Sequence, residues 1–293
     1  MATLRELKGR IGSVASSEKI TGAMKMISSA KMHKAEGALR RLQPYRRQVE
    51  TVINSLLGSD ATFESPLIEK RDVANCALIV WGSDDGLCGA YNANLAKTIP
   101  ATVESIRKEA GKEAKITVIA VGSKMFKAAR RYAASDVVVV PAESADSKSE
   151  GVKVKEFLND IKGWFTSGKF DRVELLYMQY QSASRQRATL STLLPLDPSN
   201  FKTNNNTAQA KPYIFEPDAA SIFATVIPMY LLAVMEDVFT ENRASEQAAR
   251  VMAMQSANDN AKKLLDQLRL EYNKLRQQAI TNELLDIVGG QIK

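Results

Sequence analysis

The residues best placed for chemistry form the loop Gly82-Ser-Asp-Asp-Gly-Leu-Cys-Gly89, which follows a short apolar run. A glycine-rich loop directly after a buried strand is where α/β folds bind phosphate groups. This loop matches neither G-x-G-x-x-G nor G-x-x-x-x-G-K-S/T, and it contains no lysine that could reach a terminal phosphate. The sequence therefore favours a structural turn at this position over a nucleotide-binding loop.

The other reactive side chains lack the partners that catalysis needs. Asp84 and Asp85 could ligate a hard cation, but adjacent acids in a turn are more often solvated. Cys88 could be a nucleophile, yet the only histidine, His33, is far from it in sequence, and a packed cysteine is the simpler interpretation. Cys76 and Cys88 fit no metal or redox spacing, which indicates a reducing compartment. We therefore expect no catalytic, cofactor-binding or metal-binding site.

The composition is that of a globular chain with a substantial core. The 293 residues allow one large domain or two ordinary ones, and 45% of them are hydrophobic while 25% are charged. No run of about 18 apolar residues stands out, so we predict no membrane-spanning segment. Residues 1–10 hold neither the apolar core nor the cleavage site of a signal peptide, so export is not expected.

The formal net charge of +7 is concentrated in one segment. Residues 1–50 contain eleven Lys and Arg against four Glu, and the remaining residues balance. The basic side chains are scattered around a predicted helix instead of clustering on one face. A nucleic acid and a protein with acidic loops both explain this pattern, and the charge alone does not choose between them.

The longest predicted element is a helix over Met229–Val288, a run without glycine or proline that Pro228 precedes and Gly289-Gly290 follows. Its apolar and small positions recur on average every 3.5 residues, which is the repeat of a coiled coil. The predicted seam consists of Val251, Met254, Ala257, Ala261, Leu264, Leu268, Tyr272, Leu275 and Ala279. A seam this narrow on so long a helix requires a partner helix.

Residues 1–57 are predicted to supply that partner. Heptad spacing runs through two apolar groups, Leu4, Leu7, Ile11 and Val14, and then Leu42, Tyr45, Val49, Val52 and Leu56. Internal glycines weaken the prediction, because each costs about 1 kcal/mol relative to alanine in a helix. One long helix with a kink near Pro44 is our prediction, and two shorter helices are the alternative.

Between these helices the pattern predicts alternating strands and helices. The predicted strands are Cys76–Trp81, Lys115–Val121, Val137–Val140, Arg172–Tyr180 and Ala188–Leu194, with a short candidate at Tyr213–Phe215. The predicted helices are Asn92–Lys108, Ser123–Ala134 and Val152–Thr166. We also predict a polar loop over Asp197–Lys211 and a helix cap at Glu216-Pro-Asp218.

The predicted fold is therefore α/β with long terminal helices. Residues 1–57 and 216–289 are expected to form an antiparallel coiled coil. Residues 72–200 are expected to form a Rossmann-like α/β domain with a largely parallel sheet.

Four blocks of sequence closely resemble the gamma subunit of F-type ATP synthases, in the order in which that family has them. They are Arg10–Val14 with Lys19–Met26 and Ala30–Met32, Gly82–Asn92, Glu241–Arg250, and Ile280–Gly290. The last block, Ile-Thr-Asn-Glu-Leu-Leu-Asp-Ile-Val-Gly-Gly, is the most specific, and it is followed by Gln291 where the family usually has alanine. Because the blocks span the chain, the resemblance covers nearly all of it.

The resemblance implies a non-catalytic rotor of bacterial type, without a cofactor. In that family the coiled coil turns inside a ring of three alpha and three beta subunits, and the α/β domain contacts the epsilon subunit and the membrane c-ring. Rotation would couple proton flow to ATP synthesis, and basic side chains of the first helix would face acidic loops of the beta subunits. The resemblance further implies a peripheral position on the cytoplasmic face of the bacterial inner membrane, with no nucleic acid bound and no direct membrane insertion.

The resemblance also assigns candidate contact residues. Those that match family positions at the contact with the alpha/beta ring are Met24, Lys25, Arg250, Gln277, Thr281 and Glu283. Those that match the foot near the epsilon subunit and the membrane ring are Tyr45, Tyr213 and Phe215. As an alternative, Met24 and Tyr45 are ordinary seam residues of the coiled coil.

Two rival hypotheses remain open from the residues alone. A small-molecule α/β enzyme would bind ATP as an isolated chain. A basic coiled-coil protein for nucleic acid would bind DNA with an affinity that falls steeply as salt is added.

Overall fold

The computed structural model describes residues 3–58, 63–111, 114–198, 201 and 215–290. Its helices are α1 (Leu4–Leu57), α2 (Tyr91–Ala96), α3 (Ile99–Ala110), α4 (Ser123–Ala129), α5 (Val152–Thr166) and α6 (Ala219–Gly290), with a 3₁₀ turn at Arg130–Tyr132. Its strands are β1 (Asn75–Trp81), β2 (Lys115–Val121), β3 (Val137–Pro141), β4 (Arg172–Ser182) and β5 (Arg185–Leu194). The chain forms two compact units, unit 1 with residues 1–29 and 250–293 and unit 2 with residues 30–249.

The five strands form one sheet in the order β3-β2-β1-β4-β5. The first four run parallel, and β5 pairs with β4 in the antiparallel direction. Parallel neighbours need crossover connections, and the helices between the strands provide them. The arrangement confirms the predicted Rossmann-like, largely parallel sheet.

The central strand β1 is buried on both faces, and its side chains alternate between two cores. Ala77, Ile79 and Trp81 pack with α5 and with the parts of α1 and α6 that belong to unit 2. Leu78 and Val80 pack with α2, α3 and α4 on the opposite face. Because both faces are covered, the strand is a continuous apolar run and not an alternating one.

α1 is one continuous helix, as predicted, and the alternative of two shorter helices is wrong. A capping box fixes its start: the Thr3 N–H donates to Glu6 Oε2 at 2.8 Å, and the Glu6 N–H donates to Thr3 Oγ1 at 3.3 Å. Pro44 lies inside the helix and removes one backbone hydrogen bond. Burial of Val49 and Ile53 in the core just beyond it stabilises the helix there.

The start of α6 is capped at Asp218, as predicted, and it lies ten residues before the uninterrupted run that begins at Met229. Asp218 accepts hydrogen bonds from the N–H of Ser221 at 2.8 Å and from its hydroxyl at 2.7 Å. These contacts satisfy a backbone donor that a helix start leaves without an intrahelical partner. The helix begins at Ala219, within the predicted range 216–289, and continues through Pro228 to Gly290.

Pro228 lies inside α6 and does not end the helix, because core packing offsets the free-energy cost of a proline there. Ile227 and Leu231, on either side of it, are buried in the core of unit 2, and this packing offsets the roughly 3 kcal/mol that a proline costs inside a helix. The same helix contains an 18-residue stretch with a mean hydropathy of 1.8, enough by length and composition to cross a membrane. Polar residues interrupt this stretch, so a search for an unbroken apolar run does not find it, and the expectation that nothing spans a membrane stays a prediction. Core packing of Phe223, Ile227 and Leu231 accounts for apolar sequence in this helix.

In unit 2, α1 and α6 pack in antiparallel directions. Ala35 and Leu39 cluster with Ala244. Further along α1, the Arg46 guanidinium lies 2.8 Å from the Asp237 carboxylate, which precedes Ala244 on α6. The two contacts thus occur in opposite order along the two helices, as the fold prediction requires.

The seam of α1 in unit 2 is shifted by one residue from the prediction at two positions. Tyr45 and Val52 are 44% and 41% exposed, whereas Arg46 pairs with α6 and Ile53 is fully buried. Both registers have heptad spacing, so periodicity alone does not separate them. Tyr45 is not a buried seam residue, and that alternative is wrong for it.

In unit 1 a polar contact joins α1 to α6. Asn258 Nδ2 donates to the Glu18 carbonyl at 2.7 Å and to Thr21 Oγ1 at 3.3 Å. A Cβ at Gly22 would lie 3.3 Å from the same amide, so glycine keeps room for it. A hydrogen-bonded polar residue in a coiled-coil seam fixes the register of the two helices.

The seam of α6 in unit 1 follows the prediction with two local shifts. Leu268 is buried as predicted, but Leu264 is 45% exposed and its neighbour Leu265 is buried. Asn258 likewise takes the buried position that was predicted for Ala257. An apolar pattern does not predict a buried asparagine, because the partners of its amide lie on the other helix.

Two predicted helices of the α/β region are broken. The segment Asn92–Lys108 is divided into α2 and α3, with proline near the start of the second helix, where its missing N–H costs least. The segment Ser123–Ala134 ends its α-helical part at Ala129 and continues as a 3₁₀ turn.

Part of the predicted link to α6 lies outside the described residues. Tyr213 and most of the loop Asp197–Lys211 belong to that part. Phe215, the only described residue of the predicted strand Tyr213–Phe215, packs against the core of unit 2 and is not in a strand. The predicted domain limits stay a prediction, since the compact units divide within α1 and α6.

Adjacent residues test the corrected seam. We expect Ile53→Ala to lower the free energy of unfolding by about 2–5 kcal/mol, because it leaves a cavity in the core. Val52→Ala, on the exposed face, should change it by about 0.5 kcal/mol or less. Urea unfolding of the purified chain measures both, and equal losses for the two variants would contradict the seam.

Candidate functional site

The loop after β1 is a tight turn held by hydrogen bonds between Ser83 and Asn92 of α2. The Ser83 N–H donates to Asn92 Oδ1 at 3.0 Å, and Asn92 Nδ2 donates to Ser83 Oγ at 2.7 Å. A Cβ at Gly82 would lie 2.3 Å from Met125 Cβ, so only glycine fits there. Gly82 therefore serves close packing, in agreement with the prediction of a structural turn.

Asp84 accepts backbone N–H groups that would otherwise be free to bind an anion. Its Oδ1 accepts the N–H of Ser123, the first residue of α4, at 2.7 Å, and its Oδ2 accepts the N–H of Ser147 at 2.9 Å. Burial on its own would raise the pKa of Asp84, but these two amides and the serine hydroxyls outweigh burial and hold the pKa below its usual value. The carboxylate thus satisfies the helix start from within the chain.

Helix α6 fills the neighbouring crevice between β1 and β4. Sheets of this order bind ligands at the carboxyl ends of those strands, where the strand order reverses. Here Asn242 Nδ2 donates to the Gly82 carbonyl at 3.0 Å, and Ser245 Oγ donates to the Met178 carbonyl at 2.8 Å. Both side chains are completely buried. The crevice is occupied by the chain's own helix.

The remaining chemical candidates have structural partners. Cys88 is buried, with its sulfur 3.6 Å from Ser83 Oγ. Burial, together with the nearby Glu174 carboxylate, raises the pKa of Cys76 to about 12, so its thiol is a poor nucleophile. His33 Nδ1 lies 2.8 Å from Glu36 Oε2.

Metal ligation has no support in the described part of the chain. Asp85 Oδ2 is 2.9 Å from the Lys148 ammonium. Within the described residues, no group of three or more His, Cys, Asp or Glu side chains could hold a metal ion.

The six predicted ring-contact residues lie in unit 1 but not at one place. Met24 and Lys25 are half-buried on α1, and Arg250 is buried on α6. The other three, Gln277, Thr281 and Glu283, are exposed near the end of α6. At 1.5 Å per residue, about 40 Å of helix separate Arg250 from Gln277. The structure therefore divides these residues into two groups, and their contact role stays a prediction.

The predicted foot residues have different environments. Tyr45 is exposed on α1 and available to a partner. Phe215 is half-buried against the core of unit 2, so part of its ring serves packing. Tyr213 lies outside the described residues.

Sequence reasoning missed a partly buried charge cluster between α1 and α6 in unit 2. Arg46 Nη1 pairs with Asp237 at 2.8 Å, and its Nε pairs with Glu50 at 2.9 Å. Burial, reinforced by the Asp237 charge, raises the pKa of Glu241 to about 8. Burial likewise raises the pKa of Tyr177 to about 12. The available signal was the heptad register of Arg46 opposite two acids four residues apart on α6.

The end of α6 in unit 1 exposes a group of large apolar side chains. Ile280, Leu284, Leu285 and Ile287 are 44%, 57%, 63% and 62% exposed. Scattered single apolar residues are normal on a surface, but four within eight positions of one helix indicate a protein interface. Together with the coiled-coil seams and the filled crevice, they define a subunit that works by contact with other chains.

Comparison with known proteins shows the family to which this chain belongs. A family model described as ATP synthase matches residues 3–291. The chain is 39% identical to the ATP synthase gamma chain of Bacteroides thetaiotaomicron over 302 aligned residues, covering 100% of both chains. It is 34% identical to that of Polynucleobacter asymbioticus, covering 99% of each. The chain belongs to the ATP synthase gamma chain family.

Solved structures have the same fold. A chain of the mitochondrial ATP synthase of Euglena gracilis, in an OSCP/F1/c-ring structure, matches with a TM-score of 0.64 and 20% identity, covering 99% of this chain and 93% of its own. A chain of the central stalk and c-ring of Tetrahymena thermophila mitochondrial ATP synthase matches with a TM-score of 0.56 and 18% identity, covering 81% of this chain and 99% of its own.

The raised pKa of Glu241 predicts how stability depends on pH. The folded chain favours the protonated carboxyl, so this contribution is fully present below the unfolded pKa near 4.5 and is lost as pH rises through about 8. We expect Glu241→Gln to stabilise the chain at pH 9 by on the order of 1 kcal/mol, discounted for partial exposure, and to have little effect at pH 4.

Thermal unfolding of the purified chain across pH measures this difference. Glu104→Gln, which removes an exposed carboxylate of α3, is the control and should leave the profile unchanged. A gain that is the same at pH 4 and pH 9 would show that the carboxyl of residue 241 is not the titrating group.

Proposed function

We propose that this chain is the central rotor of a rotary ATP synthase, coupling proton flow through a membrane c-ring to ATP synthesis by three alpha and three beta subunits. The observation that carries the proposal is likeness to ATP synthase gamma chains along the full length of both chains. Solved chains of the same fold are named as parts of an ATP synthase rotor and of a central stalk with its c-ring.

The rotor itself is not catalytic in this proposal. Its α/β crevice is filled by Asn242 and Ser245 of α6. The free backbone amide of Ser123 at the start of α4, a kind of group that can bind an anion, is taken by the Asp84 carboxylate. Both features leave nucleotide chemistry to the partner subunits.

The surface of unit 1 supports a turning contact. The exposed apolar end of α6, at Leu284 and Leu285, suits an apolar surface of the surrounding subunits. Apolar contacts are non-directional and therefore allow rotation. Exposed Lys19 of unit 1 and Lys31 of unit 2, with half-buried Lys25, suit acidic loops of the beta subunits. Exposed ion pairs contribute about 0–1 kcal/mol each and are screened by salt, so they release as the rotor turns.

The location follows from the assembly. The epsilon subunit and the c-ring are the proposed partners of the foot, with Tyr45, Tyr213 and Phe215 as contact candidates. The chain would be peripheral on the cytoplasmic face of a bacterial inner membrane. Direct insertion is not part of the proposal, because Phe223, Ile227 and Leu231 of the apolar helix are committed to the core of unit 2.

Co-purification tests the proposal. The tagged chain, expressed at its natural level, should purify with two larger nucleotide-binding subunits and a smaller one, and the complex should hydrolyse ATP. Recovery of the chain alone, with tight ATP binding of its own, would favour a small-molecule enzyme instead.

Met24→Lys tests the contact between the rotor and the ring. A further positive charge should strengthen one contact with an acidic loop, so we expect ATP-driven proton pumping per ATP hydrolysed to fall several-fold with near-normal assembly. Higher salt should relieve part of the loss because it screens exposed charges. Met26→Lys, which places the same charge on a side chain that is 68% exposed, is the matched control. Pumping equal to the parent at low and high salt would remove Met24 from the contact.

A further inference from the structure

The contact of α6 with the carboxyl edge of the sheet is polar, buried and directional. Asn242 and Ser245 lie three residues apart and so share one face of the helix. Their donors reach the carbonyl of Gly82, directly after β1, and the carbonyl of Met178 within the adjacent strand β4. One helix face is thus bonded to two neighbouring strands.

Asn242 has partners for both ends of its amide. Its Nδ2 donates to the Gly82 carbonyl, and its Oδ1 accepts the hydroxyl of Tyr91 at 2.7 Å. Tyr91 belongs to α2 and is itself buried. The side chain therefore ties α6 to a strand and to a second helix at once, with no exposure to water.

We propose that Asn242, with Ser245, is the positioning residue that sets the rotational angle of α6 against the sheet, so that torque passes between them without slippage. This inference rests on the proposed rotor function. The crevice at the carboxyl ends of the strands, where α/β folds bind a ligand, here binds a helix of the same chain.

The physical argument is a difference between two kinds of contact. Apolar packing of α6 on the sheet supplies most of the binding energy but is non-directional, so it resists separation better than rotation. A rotation of about 30° moves an atom that lies roughly 5 Å from the helix axis by about 2.6 Å. Such a displacement breaks a hydrogen bond, whose length tolerates only a few tenths of an ångström.

A neighbouring ion pair is too exposed to hold the angle of α6 in place of these buried hydrogen bonds. Arg243, the next residue of α6, pairs with Glu150 in the loop before α5, but that glutamate side chain is 64% exposed. Exposed pairs of this kind contribute little and are screened by salt. The buried hydrogen bonds of Asn242, with that of Ser245, hold the angle.

Asn242→Leu tests the role, because leucine has a similar size and makes neither hydrogen bond. The matched control is Thr240→Val, which is equally buried on the same helix. The Thr240 hydroxyl donates to the Glu236 carbonyl of its own helix at 2.7 Å, so its loss leaves the contact with the strands intact. The readout is proton pumping per ATP hydrolysed in assembled, membrane-reconstituted complexes.

We expect Asn242→Leu to lower this ratio at least threefold while ATP hydrolysis and subunit content match the parent, and Thr240→Val to leave the ratio unchanged. A ratio equal to the parent in assembled Asn242→Leu complexes overturns the inference. If Asn242→Leu does not assemble, Tyr91→Phe, which removes one hydroxyl only, is measured in its place against the same threshold. Normal proton pumping by complexes assembled without this chain would instead contradict the proposed function.

Discussion

Burial of one face of α6 against the sheet is the interaction on which unit 2 depends. Phe239 meets the Trp81 ring at 5.5 Å and the Phe157 ring at 6.2 Å, both edge to face, and so joins α6 to β1 and α5. With α6 held against the sheet there, Asn242 and Ser245, three and six residues further along, reach the carbonyls of Gly82 and Met178. The same burial carries the helix through Pro228 and makes its sequence apolar enough to resemble a membrane span.

The sequence predicts most of the fold because periodicity reports which faces are buried. The five strands, the long helices and the Asp218 cap follow from apolar spacing and turn residues. Shifts of one residue in the seams, from Val52 to Ile53 and from Leu264 to Leu265, could not be predicted, because both registers satisfy a heptad. Which one forms is decided across the interface, by partners such as Asp237 for Arg46.

The candidate site was less accessible to sequence reasoning. The loop motif correctly indicated a structural turn, since it lacks the lysine and the spacing that phosphate binding requires. That α6 fills the crevice was not predictable, because Asn242 and Gly82 are far apart in the chain and only the folded topology joins them. The contact residues came from resemblance alone, and the structure separates them along α6 into a buried Arg250 and an exposed end around Thr281.

Rotation of this chain inside its assembly tests the central claim most directly. Cys76 and Cys88 are buried, so Val152→Cys, at a position that is 71% exposed, gives one reactive thiol on the surface of unit 2 for a bead. With the alpha and beta subunits fixed to glass, ATP should drive the bead through continuous rotation in one direction. ATP hydrolysis at the normal rate with a stationary or randomly turning bead would contradict the account.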